Sequence, residues 1–207
     1  MHKRVKLAVL ALAMASVLAG WATGASANRL SVNRREIRIV WSALTFTSNA
    51  GRRVTCGVTL EGRMEEATFT KVLNLRIGTI TSGSSSCSET IRFLFEQRWD
   101  LLYETFFGTL PNITNLYFKI NGIAFSWIGG YTCKYRSEAR SPTSFNATRN
   151  TETWQLTRID APGAAGRMPP IEGSSIFCTN VNDEAYLNGS GVITRAGEGE
   201  GIFLSLI

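Results

Sequence analysis

Imidazole chemistry is nearly absent from this chain: among its 207 residues the one histidine is His2. His2 lies in an N-terminal segment with the layout of a cleavable leader, and without it no Ser or Cys nucleophile can be paired with a His base. The imidazole ligands of most zinc, copper and iron sites are missing too, so no metal and no cofactor is expected. Hydrolysis would have to run on paired carboxylates, as in glycoside cleavage, where two acids flank the scissile bond. Glu61, Glu65, Glu66, Asp100, Glu104, Asp183 and Glu184 are available, and nothing in their spacing selects a pair. Asp183 and Glu184 beside Asn180 and Asn182 offer oxygens to calcium but lack the Asp-x-Asp-x-Asp-Gly loop, and a hydrogen-bonded turn explains the same residues. No catalytic residue is assigned. The leading expectation is a non-enzymatic binding or structural protein, with a carboxylate-dependent extracellular glycan hydrolase as the alternative.

Two other sets of side chains bear on binding. Trp99, Tyr103, Tyr117 and Trp154 fall in strand-like patterns where an aromatic ring facing solvent would stack on a sugar, although aromatics also fill β cores. Arg29, Arg34, Arg35, Arg38, Arg52 and Arg53 stand against Glu36 alone, so Arg34, Arg35, Arg38, Arg52 and Arg53 are candidate contacts for an anionic polymer. The plainer reading is a solvated strand face, since Arg34, Glu36 and Arg38 share one parity while Ile37, Ile39 and Trp41 share the other. The candidate partners are a cell-surface glycan, an anionic polymer or another surface protein.

Cys56, Cys87, Cys133 and Cys178 are too widely spaced for paired metal knuckles. An even number in an exported chain reads as two disulfides. Three connectivities are open. Closing the shorter loops favours Cys56 with Cys87 and Cys133 with Cys178.

The export expectation comes from the first residues. Lys3, Arg4 and Lys6 precede an apolar run from Leu7 to Ala19 broken only by Ser16, and Ala25-Ser26-Ala27 supplies small residues for cleavage. The run is shorter than the roughly 20 residues of a membrane-spanning helix, though an uncleaved anchor is the other possibility. Residues 1–27 are thus read as a signal peptide and 28–207 as one secreted or envelope-associated domain, with no later stretch apolar enough to span a membrane. Removing the leader leaves 19 basic against 16 acidic residues, a net charge of +3.

Beyond the leader, short alternating segments rich in Val, Ile, Thr and aromatics dominate, punctuated by Gly and Asn. Strands are expected over 36–46, 52–60, 67–77, 90–96, 99–107, 113–120, 123–128, 131–136, 152–159, 174–179, 184–187, 191–195 and 202–206. Asn121-Gly122 suits a two-residue type I′ turn, which would place Ile120 opposite Ile123, Phe118 opposite Phe125 and Leu116 opposite Trp127. Asn188-Gly189 offers a second hairpin, and Gly197 to Gly201 a turn bringing residues 192–195 back onto the terminal strand. Thr81 to Ser88, 137–150 and 160–170 read as loops. Sequons at Asn112, Asn146 and Asn188 matter only in a host that glycosylates exported chains, and the bacterial style of the leader predicts no glycan there. The fold class that follows is all-β, a single antiparallel sandwich or barrel with two disulfides.

Val54-Thr-Cys-Gly-Val-Thr-Leu-Glu-Gly62 and Gly108-Thr-Leu-Pro-Asn-Ile-Thr114 resemble segments of a group of small exported proteins of actinobacteria. The resemblance runs through most of the chain beyond the leader. It implies export and a β-rich, disulfide-bonded fold, and it brings no catalytic residue with it.

Overall fold

The computed structural model describes residues 29–87, 90–109, 112–138, 142–153, 155–196 and 201–206. The leader expected over residues 1–27 and its expected cleavage site lie outside these residues.

Alternation of apolar and polar side chains carries most of the chain into strands. In β2 (Glu36–Ser48) and β3 (Arg53–Met64), every second residue is buried. The inward parity of β2 switches from Ile37, Ile39 and Trp41 to Leu44, Phe46 and Ser48 because one extra residue bulges between Trp41 and Leu44, opposite Val58 and Cys56. Such a bulge bends and coils a strand, which helps the sheet close. β5 (Arg76–Cys87), β7 (Trp99–Thr109), β8 (Asn112–Asn121), β11 (Thr143–Arg149), β12 (Gln155–Pro162) and β13 (Ala185–Arg195) complete an antiparallel barrel. Its order is β11-β8-β7-β5-β3-β2-β13-β12, and pairing of β11 with β12 closes the ring.

The two ends of the barrel are finished differently. At one, β1 (Arg29–Val32) pairs with both β14 (Ile202–Leu206) and the three-residue β4 (Thr68–Thr70), and β14 catches the start of β12. At the other, β6 (Thr90–Phe93), β9 (Ala124–Ile128) and β10 (Thr132–Arg136) form a second, three-stranded sheet. The core runs through both: Trp41, Trp99, Trp127, Phe46, Phe125, Phe145 and Tyr135 are all fully buried. Phe46 meets Phe125 edge-on at 5.0 Å, which ties the barrel to the second sheet.

Both disulfides join the cysteines expected from loop length. Cys56 and Cys87 are direct cross-strand partners of β3 and β5, with Cα atoms 4.4 Å apart. Cys133 of β10 reaches Cys178 in α1 (Ile176–Thr179), a single helical turn capped by the Ser175 side chain. That turn replaces the strand expected over 174–179.

Asn121-Gly122 does not make a hairpin. Ile120 pairs with Leu101 and Thr143, while Phe125 pairs with Phe93 and Tyr135, so the chain passes from the barrel into the second sheet. A type I′ turn needs positive φ at both central residues, and here only Gly122 has it, at +83°. A Cβ at Gly122 would lie 2.7 Å from the Arg98 carbonyl oxygen. The apolar residues on either side share inward parity because both sheets cover one core, a pattern that a hairpin would also produce.

Other expectations change similarly. Asn188-Gly189 lies within the continuous strand β13, where the pairing with β2 shifts register between Asn188 and Val192. β14 pairs with β1 and β12 rather than folding back on β13. Residues 81–87 are strand, and 82–87 pair residue by residue with β3 despite their serines. Residues 143–149 are strand as well, with Thr143, Phe145 and Ala147 inward. Within the strand expected over 67–77, β4 and the first two residues of β5 are strand, and a turn with Asn74 at φ +62° separates them.

Candidate functional site

Barrel closure sets outward side chains of β7, β8, β11, β12 and β13 side by side. One row runs Thr105, Tyr117, Asn146, Asp160, Ser190. The next runs Phe107, Asn115, Thr148, Arg158, Val192. None of these ten residues is buried. Phe107 reaches the wall because the register of β7 slips by one residue between Tyr103 and Thr105; unbroken alternation would send it inward with Tyr103.

Hydrogen bonds link the rows. The Asn115 amide donates to Asn146 Oδ1 at 3.1 Å and to Thr148 Oγ1 at 3.2 Å. Beside it, Arg158 donates from Nε to Asp160 Oδ1 at 3.0 Å and from Nη2 to Ser190 Oγ at 3.0 Å. The Ser190 hydroxyl in turn donates to Asp160 at 2.5 Å. At one edge Phe107, 58 % exposed, packs edge-on against Tyr117 with ring centroids 5.4 Å apart. At the other, Val40, Ser42, Thr157, Arg158, Ser190 and Val192 line an open groove of about 530 Å³. A Cβ at Gly191 beneath it would come within 2.6 Å of Trp41, so bare backbone is needed for the floor. The charges on this wall are paired: Arg158 with Asp160, and Lys119 with Glu104 at 3.6 Å. Surface pairs of this kind contribute about 0–1 kcal/mol; their effect here is to hold side chains in place.

The far end carries a second cluster. Asp183, 1 % exposed, accepts the Tyr135 hydroxyl at 2.8 Å and the Ala50 amide at 2.8 Å. Burial first, and then the hydrogen bond and charge of Asp183, push the Tyr135 hydroxyl well above the ordinary tyrosine range, against the opposing charge of Arg52. The Arg52 guanidinium lies over Trp127 at 4.3 Å and Tyr131 at 4.9 Å. Tyr131 in turn meets Phe177 of α1 at 5.6 Å.

Of the aromatics considered from sequence, Trp99 (0 % exposed) and Tyr103 (4 %) are core residues. Tyr117 is on the wall, and Trp154 lies outside the described residues. The arginines do not form one patch. Arg38 faces Glu61, Arg35 donates to the Met64 and Glu65 carbonyls, and Arg34 is exposed near both. Arg52 and Arg53 are at the other end of β2 and β3, roughly 30 Å away at the rise of a strand.

The acids are mostly engaged. Arg76 contacts Glu65 at 2.5 Å and Asp100 at 3.9 Å, and Glu184 binds Arg167 at 2.9 Å. Asp183 and Glu184, weighed for calcium, spend their oxygens on Tyr135, Ala50, Arg167 and Asn49. Among the described residues no three His, Cys, Asp or Glu side chains gather as a metal site, and no helix is long and apolar enough to cross a membrane. Sequence reasoning missed Asn115, Asn146, Thr148, Arg158, Asp160 and Ser190 because strand β11, which joins them, was read as loop. The outward alternation Ser144, Asn146, Thr148 was the available signal.

No protein family, no curated protein and no solved structure matches this chain.

Proposed function

We propose that this is an exported, non-enzymatic binding protein of the cell envelope that recognises a neutral glycan on the barrel wall formed by β7, β8, β11, β12 and β13. The observation that carries the reading is the hydrogen-bonded set Asn115–Asn146–Thr148 and Arg158–Asp160–Ser190, flanked by the exposed Phe107–Tyr117 pair. A sugar ring presents C–H groups on its faces and hydroxyls at its rim. An aromatic platform covers the former, while planar amide, carboxylate and guanidinium groups exchange paired hydrogen bonds with the latter. Side chains already ordered by one another lose little freedom on binding. Because both cations on the wall are paired with acids, an uncharged polysaccharide suits it better than an acidic one. Two disulfides and the layout of the leader support export, as does the resemblance to exported actinobacterial proteins.

The test is retention on insoluble envelope polysaccharide and on arrayed glycans. The wild-type protein is expected to bind with little dependence on salt, and Tyr117→Ala or Arg158→Ala to weaken binding tenfold or more while leaving the fold intact. Absence of wild-type retention on every glycan, or equal retention by Tyr117→Ala, would sink the reading. Retention that salt abolishes would move the contact to the arginines.

A further inference from the structure

α1 projects from the end of the molecule opposite the chain's first strand, and its tip is apolar. Ile176, Phe177 and Val181 are 63 %, 68 % and 64 % exposed. They do not sit on a floppy loop. Cys178, between them, is 0 % exposed and bonded to Cys133. The Ser175 amide donates to the Thr132 carbonyl at 2.8 Å, the Ile171 amide to the Lys134 carbonyl at 2.9 Å, and the Asp183 amide to the Cys178 carbonyl at 2.9 Å. Through Asp183 the same segment grips the turn between β2 and β3.

We infer that this knuckle docks the protein on an anionic lipid bilayer, with Ile176, Phe177 and Val181 entering the headgroup–acyl boundary. The charges around the tip choose a membrane over a protein partner. Its three apolar side chains expose on the order of 350 Å². Cations frame it: the Lys134 ammonium lies beside Gly173, where a Cβ would be 2.9 Å from it, and the adjoining turn supplies Arg52 and the exposed Arg53. Of the acids in the segment, Asp183 is buried against Tyr135 and Glu184 is paired with Arg167, leaving Glu172 as the exposed one. Apolar tips ringed by Lys and Arg combine burial of apolar area with attraction to anionic headgroups. The clamp fixes the tip before it meets a membrane, so little ordering is required on docking.

The experiment is co-sedimentation of the protein recovered from its exporting host with vesicles of phosphatidylglycerol and phosphatidylcholine, and with vesicles of phosphatidylcholine alone. Wild type is compared with the Ile176→Asp/Phe177→Asp double variant carrying the same N-terminus. Near-ultraviolet circular dichroism and the mass of the intact disulfides confirm that the variant is folded; both substituted residues are exposed. The expected result is sedimentation with the anionic vesicles that weakens with salt, at least a tenfold loss for the double variant, and a severalfold loss for Lys134→Glu. Wild type remaining in the supernatant with both vesicles would overturn the inference, as would equal sedimentation of the double variant. A wild-type dimer in sedimentation velocity that the double variant dissolves would reassign the tip to self-association.

Discussion

The two ends of the barrel reach closure by different means. At the β1 end the strap is short: three register pairs join β1 to β14, three join β1 to β4, and two join β14 to β12. Beneath it lies a wholly apolar cavity of about 30 Å³, lined by Val32, Ile37, Met64, Leu101, Ile202 and Leu204 among others. The α1 end has a second sheet, stacked aromatics, the Cys133–Cys178 bridge and the Asp183 knot. Short strand pairing, a few exposed hydrogen bonds and apolar burial hold the first end without a cross-link, so it can yield locally. Cross-links and a satisfied buried carboxylate hold the second, so it should move only as the whole domain unfolds. The knuckle lies on the clamped end, whereas the wall reaches the strap, since its strand β12 pairs with β14 at Gln155 and Leu156.

The largest expected effect comes from cutting the clamp. Replacing Cys133 and Cys178 with Ser should lower unfolding stability by about 4 kcal/mol on the chain-entropy model for their 45-residue separation. Amide exchange should then rise across β9, β10 and residues 171–184 while the strap is unchanged; uniform loosening of both ends would erase the contrast. Next is Asp183→Ala, which strands the buried Tyr135 hydroxyl and the Ala50 amide. Denaturant titration should show a loss of about 3 kcal/mol, from desolvated groups at ~1–3 kcal/mol each.

A smaller effect is set by pH. Because Tyr135 keeps its proton in the fold beyond the usual tyrosine range, both states are protonated below about pH 10 and its contribution is fully present there. Above that pH the unfolded chain ionises and the folded one does not, so stability should fall by up to about 1.4 kcal/mol per unit. Tyr135→Phe should remove that slope, and a slope that persists in the variant would assign it elsewhere. Smallest is Val32→Ile at the strap, which adds a methyl to the apolar cavity and should stabilise by under about 1 kcal/mol. Slower exchange in β1 and β14, with none in β10, would sharpen the difference between the ends.

Much of the barrel was legible along the chain because alternation reports burial directly. The switch of inward parity between Trp41 and Leu44 even marked the β2 bulge, though it takes the pairing with Val58 and Cys56 to interpret it. Loop length chose the right cysteine partners. Asn121-Gly122 misled for a physical reason: Leu116, Phe118 and Ile120, like Ile123, Phe125 and Trp127, must face inward whether the strands pair or fold over a common core. Residues 81–87 and 143–149 were passed over because their sequences are dominated by Ser, Thr and Asn on a solvated face, where composition resembles loop. The wall was hidden for the same reason. Asn115, Asn146 and Arg158 are far apart along the chain, and register alone makes them neighbours.

The pairing of β1 with β14, and of Ile37 in β2 with Arg195 in β13, also governs when the molecule can finish folding. A chain delivered N-terminus first, from a ribosome or through a membrane pore, presents β2 and β3 early but has no partner for the free edge of β2 until nearly all of it has emerged. Contacts of such long sequence separation form slowly. The polypeptide therefore stays unclosed during delivery, and the ring seals only when its last strands arrive.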